Sequence, residues 1–141
     1  MHAELDLVAL VVADMPATVT FYRKLGLPFP EGSERQPHAE AALPNGLRIA
    51  LDSRATVESF YPDFRPTTGH GRIGLAFRCA SPEEVDANYR ELVEDGYHGE
   101  LAPWDAFWGQ RYAVVHDPDG NGVDLYAALP VPASAGTEAK S

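Results

Sequence analysis

The chain has 141 residues, enough for one compact domain with a core that needs no covalent staples, and its single cysteine, Cys79, excludes an internal disulfide. Acidic residues outnumber basic ones 21 to 11, a net charge of −10 that disfavours nucleic acid and anionic membrane surfaces as partners. No signal peptide is visible and no apolar run reaches the roughly 18 residues of a membrane span, so a cytoplasmic protein is expected.

Taken in order, residues 4–13 alternate weakly between alanine and aliphatics, the pattern of a largely buried strand. Asp14 is a good N-cap and Pro16 suits a first helical turn, so a helix carrying Val19, Phe21, Tyr22 and Leu25 should run to Gly26. Residues 27–37, rich in Pro, Gly and charge, read as a loop. Two strands, 39–43 and 47–51, flank Pro44-Asn45-Gly46, where Asn-Gly signals a tight hairpin. Residues 53–60 suit a short helical turn, and 61–71 an exposed linker.

The pattern then restarts. Residues 73–79 form a strand, and Ser81-Pro82-Glu83-Glu84 is a capping box opening a helix whose apolar stripe is Val85, Tyr89, Leu92 and Val93. A short extended piece, 99–103, precedes three aromatics, Trp104, Phe107 and Trp108. The run from Tyr112 to Val115 then meets Asp117-Pro118-Asp119-Gly120-Asn121-Gly122, whose proline and glycines fit a hairpin turn. Beyond it, Val123 and Leu125 should face one side of the sheet, and Asp124 and Tyr126 the other.

Laying Leu7 on Gly74 aligns Val8-Ala9-Leu10 with Leu75-Ala76-Phe77, Gly26 with Gly96, and the two hairpin turns with each other. This order is an internal duplication. The expected organisation is one α+β domain over 1–130: two tandem βαβββ modules at about 4–52 and 72–128, a linker at 53–71 and a flexible tail at 131–141. Two such curved sheets would enclose a cleft, the natural place for a ligand.

Three segments, 7–26, 74–85 and 108–126 (WGQRYAVVHDPDGNGVDLY), resemble the vicinal oxygen chelate superfamily, which groups glyoxalase I, extradiol dioxygenases, fosfomycin resistance enzymes and bleomycin resistance proteins. The resemblance implies the glyoxalase/bleomycin resistance fold and a homodimer. In metal-dependent members the ion is held from the first strand of each half and the last strand of the second. Carried over, these positions fall on Leu7, Gly74 and Asp124. Leucine and glycine have no donor atom, so no metal or other cofactor is expected at the inherited site.

The five histidines are scattered, without spacing that aims two imidazoles at one ion; His38 and His70 are the two that might reach the cleft. No Ser-His-Asp or Cys-His arrangement is recognisable. Aromatics and carboxylates remain: Trp104, Phe107, Trp108 and Tyr112, with Phe60 and Tyr61 beside Phe64 in the linker, together with Asp124, Arg111 and His38. Arg111 would pair with Asp105, Asp124 or an anionic ligand group. Aromatic faces attract planar or cationic groups. The expectation is a metal-independent binding protein of the bleomycin-resistance type, sequestering a bulky aromatic or cationic compound such as an antibiotic. The competing expectation is a glyoxalase- or dioxygenase-like enzyme, with a metal shifted to His38 or His70 with Asp124, or with Asp124 as a base.

Overall fold

The computed structural model describes residues 1–65 and 73–131. Expectations for His70 and for most of the tail lie outside them. The chain divides into two compact units, 1–68 and 69–141.

In the first unit, β1 (Leu7–Val12) leads into α1 (Met15–Lys24). Asp14 caps that helix by accepting from the Ala17 amide at 3.0 Å, satisfying one of the amides a helix start leaves without a partner. The chain returns through β2 (His38–Ala42) and β3 (Arg48–Ser53), then enters α2 (Arg54–Phe60) under a Ser53 cap. The sheet order is β1-β3-β2, with β1 parallel and β2 antiparallel to β3. Val12, Ile49, Leu51, Ala39 and Ala41 are buried, as are Val19, Phe21 and Tyr22 of α1.

The second unit runs β4 (Gly74–Arg78), α3 (Pro82–Glu94), β5 (Gly99–Ala106), β6 (Gln110–His116) and β7 (Gly122–Ala128). Its order is β4-β7-β6-β5. Helix α3 packs on β5, β6 and β7 and covers Ala113, Val115, Val123, Leu125 and Ala127, all buried. The expected mixed α+β class holds, with sheets of three and four strands.

The modules differ by one strand. The second has the full βαβββ order, whereas the described part of the first has three strands. The missing position corresponds to β5, and residues 27–37 occupy it. Pro28 and Pro30 have no amide for a ladder, and the segment is instead pinned by the Arg23 guanidinium, which donates to the carbonyls of Phe29 (3.1 Å) and Pro30 (2.6 Å) and pairs with Glu34 at 2.5 Å. By contrast β5 is longer than the expected 99–103. It carries Pro103 on the sheet edge, where a missing amide is tolerated, at the cost of register shifts between Gly99 and Leu101 and between Leu101 and Trp104. No helix among the described residues is long and apolar enough to cross a membrane.

Candidate functional site

The turn after β6 sets the second sheet's register. Buried Asp117 accepts through Oδ1 from the amides of Asp119 and Asn121, each at 2.9 Å, and through Oδ2 from the Asn121 side chain at 2.8 Å. Gly120 takes the left-handed φ of +87° that closes the turn. The ladder then pairs Tyr112 with Tyr126, Val114 with Asp124, and His116 with Gly122. Because side chains alternate along a strand, these residues share the face away from α3, as the alternation in β7 led one to expect.

An aromatic wall stands on that face. Trp104 of β5 lies opposite Tyr112 of β6, and Trp108, in the turn between them, meets both edge to face with centroids 5.7 and 5.2 Å away. Phe107 adds a third perpendicular contact to Trp108, at 5.0 Å. The Trp108 indole donates to Gln110 Oε1 at 2.9 Å, which fixes its ring. Trp104 and Trp108 remain 37% and 48% exposed and Phe107 90%, so Phe107 is not a core residue. At the foot of the wall the Tyr112 hydroxyl hydrogen-bonds to the Asp124 carboxylate; desolvation first, and that carboxylate second, push the phenol up to about 12.

Arg111 belongs to the opposite face. Its guanidinium forks onto Asp86 of α3 at 2.9 and 3.1 Å and reaches Asp105 at 2.9 Å. These hydrogen bonds hold it firmly protonated. Of the partners expected for it, Asp105 is found; Asp86 was not legible, because a helix-to-strand pairing leaves no spacing signature. The expectation that Arg111 lines a ligand site together with Tyr112 and Asp124 is therefore corrected.

The first unit holds the remaining expected residues. His38 opens β2 on the face of its sheet away from α1, where its Nδ1 meets Asp52 at 2.5 Å and its Nε2 meets Glu40 at 2.8 Å. Glu40 continues to Arg48 at 3.0 Å, and Arg48 to Asp6. Both imidazole nitrogens are thus engaged, and hydrogen bonds to the carboxylates of Asp52 and then Glu40 raise the His38 pKa above its ordinary value. Phe60 ends α2 and Tyr61 follows it, 68% and 52% exposed, with Tyr61 packed on Phe64 at 5.9 Å.

The positions implied for an inherited metal do not fit one. Leu7 on β1 and Gly74 on β4 offer no donor atom, and Asp124 already accepts a phenol. A different set of donors was missed. His98, Glu100 and His116 bring one ligand atom each to within 4.8 Å of one another, although the histidines lie 18 residues apart along the chain. The scattered spacing that argued against paired imidazoles is overturned by cross-strand pairing: the His116 amide donates to the His98 carbonyl at 2.9 Å.

The family model described as Glyoxalase/Bleomycin resistance protein/Dioxygenase superfamily matches residues 4–125. Similar solved structures include a glyoxalase/bleomycin resistance protein/dioxygenase family enzyme from Burkholderia phytofirmans PsJN (TM-score 0.77, 22% identity, 90% of this chain and 100% of that one). A glyoxalase-related enzyme from Fulvimarina pelagi (TM-score 0.74, 21% identity, 92% and 93%) is another. A protein from Agrobacterium tumefaciens, solved by solution NMR, shares 29% identity (TM-score 0.69, 92% and 100%). No curated protein matches. With a family model spanning 4–125, this chain belongs to the glyoxalase/bleomycin resistance protein/dioxygenase superfamily.

Proposed function

We propose that this protein is a metal-independent, cytoplasmic binding protein that sequesters a planar, cationic small molecule such as an antibiotic, and that it acts as a homodimer. One observation carries the reading: Trp104, Trp108 and Tyr112 are locked edge to face on one sheet surface with the Asp124 carboxylate at their foot. Rigid rings give a large contact at little entropic cost, and their faces attract cationic or planar groups. Asp124 supplies countercharge, and the net charge of −10 favours a cationic ligand's approach. The rival reading, Asp124 as a catalytic base, is weakened because its carboxylate is already occupied by the Tyr112 hydroxyl.

The chain has two tryptophans, both in this wall, so fluorescence excited selectively in tryptophan, beyond the tyrosine absorption, reports on the wall alone. Titration with a planar cationic dye such as proflavine should quench it saturably. Asp124→Asn should weaken binding more at low salt than at high salt, because screening removes the charge term. Unsaturable quenching, or dye affinity that survives Trp104→Ala with Trp108→Ala when followed by dye polarisation, would discard the reading.

A further inference from the structure

We infer that His98, Glu100 and His116 form a binding site for a late divalent transition metal such as zinc or nickel, distinct from the position the family uses. His98 Nε2 stands 2.9 Å and His116 Nε2 3.6 Å from the same Glu100 oxygen, Oε1. Tetrahedral zinc, with ligand bonds of about 2.0–2.2 Å, places its ligand atoms roughly 3.4 Å apart; the two Glu100 separations lie close to that, and the third donor pair, within 4.8 Å, closes by side-chain rotation. Two imidazoles with one carboxylate suit zinc, nickel or copper and poorly suit calcium or magnesium, which prefer all-oxygen shells.

The fold builds this triad rather than merely permitting it. Gly99 pairs with Val115, and alternation about it puts His98 and Glu100 together on the face that carries His116 at the end of β6, just before the register shift between Gly99 and Leu101. Gly99, between them, faces α3, where a Cβ would stand 2.2 Å from the Tyr89 hydroxyl and 2.9 Å from Val93 Cγ2. Only glycine lets the helix back this strand so closely. The imidazole rings of His98 and His116 already lie with centroids 4.8 Å apart. Four residues along β6 separate His116 from Tyr112, roughly 13 Å, which makes this a second site rather than part of the aromatic wall. Three protein ligands leave a coordination position for water or for a donor atom of a small molecule. The ion would also tie the edge strand β5 to β6.

The test is isothermal titration of tag-free protein with ZnCl₂ and NiCl₂, with CaCl₂ and MgCl₂ as hard-ion controls, together with the absorption spectrum of a Co²⁺ complex. One equivalent of Zn²⁺ should bind, and His98→Ala and Glu100→Gln, both at exposed positions, should each weaken it at least ~10-fold, a loss that even outer-shell substitutions produce. The Co²⁺ band pattern of a tetrahedral site should disappear in His98→Ala. His2→Ala and His38→Ala should bind as the parent does. Absence of Zn²⁺ binding, equal binding of Ca²⁺, undiminished affinity in both His98→Ala and Glu100→Gln, or loss in His38→Ala would each overturn the assignment. His116→Ala is confirmatory, since its side chain is only 11% exposed and its loss affects packing.

Discussion

The two sheets obey one topology on the helix side and diverge on the other. Toward the helices both present apolar residues: Ile49 and Leu51 of β3 answer Val123 and Leu125 of β7. On the opposite face, matching Leu7–Arg48 with Gly74–Gly122 sets Ala50 against Asp124, Asp52 against Tyr126, and His38 against Tyr112. The first face is an unbroken chain of charges, Asp6, Arg48, Glu40, His38 and Asp52. The second is an aromatic wall with one carboxylate at its foot and a histidine cluster at its far end. Packing against a helix constrains volume and polarity tightly. The other face is free to change its chemistry without changing the fold, and function is expected where that freedom has been used.

If the helix side is equivalent in the two modules, truncating matched core residues should cost alike. Leu51 and Leu125 are both fully buried, and Leu51→Ala and Leu125→Ala should each lose about 2–5 kcal/mol in urea unfolding. A difference beyond that range would mean that one module contributes little to the cooperative core. A smaller contrast concerns glycine in the second sheet. Gly99→Ala must displace Tyr89 or Val93 and should cost about 1–3 kcal/mol. Gly122→Ala, with nothing within 4 Å of its added Cβ, should be near neutral. Equal effects would remove the claim that helix and β5 approach each other only through Gly99.

These elements also show what is legible in a sequence. Caps, hairpin turns and the alternation in β7 are local, so Asp14, Ser81, Asn45-Gly46 and Asp117–Gly122 announce themselves. The duplicated order of elements carried the fold. The first module's missing strand falls at 27–37, which reads as a loop and where Pro28 and Pro30 rule against a ladder, so the expected βαβββ order was one strand too long there. Among the candidate side chains, the aromatics of the wall are neighbours in sequence, so their proximity was legible. The Arg111–Asp86 fork and the His98–Glu100–His116 triad depend on which strand and helix residues meet in space, and register shifts hide that from any spacing rule.

The smallest expected effect separates the two faces by pH. His38 is held between Asp52 and Glu40, so its folded pKa lies above the ordinary 6.5. The interaction is therefore fully present below pH 6.5 and is lost as pH rises through the raised value. On the acid side Glu40 stays ionised, because His38 and then Arg48 hold its carboxyl below its usual 4.5. The second face has no counterpart at the matched position: Tyr112, at about 12, does not titrate in this window. The urea midpoint of the parent minus that of His38→Gln should be largest between pH 5 and 6.5 and shrink at higher pH. At most about 1 kcal/mol is involved, the ceiling for half-exposed ion pairs. Taking the difference cancels every contribution common to the two proteins. A difference independent of pH would show that His38 contributes through shape alone, without a charge interaction with Asp52 and Glu40.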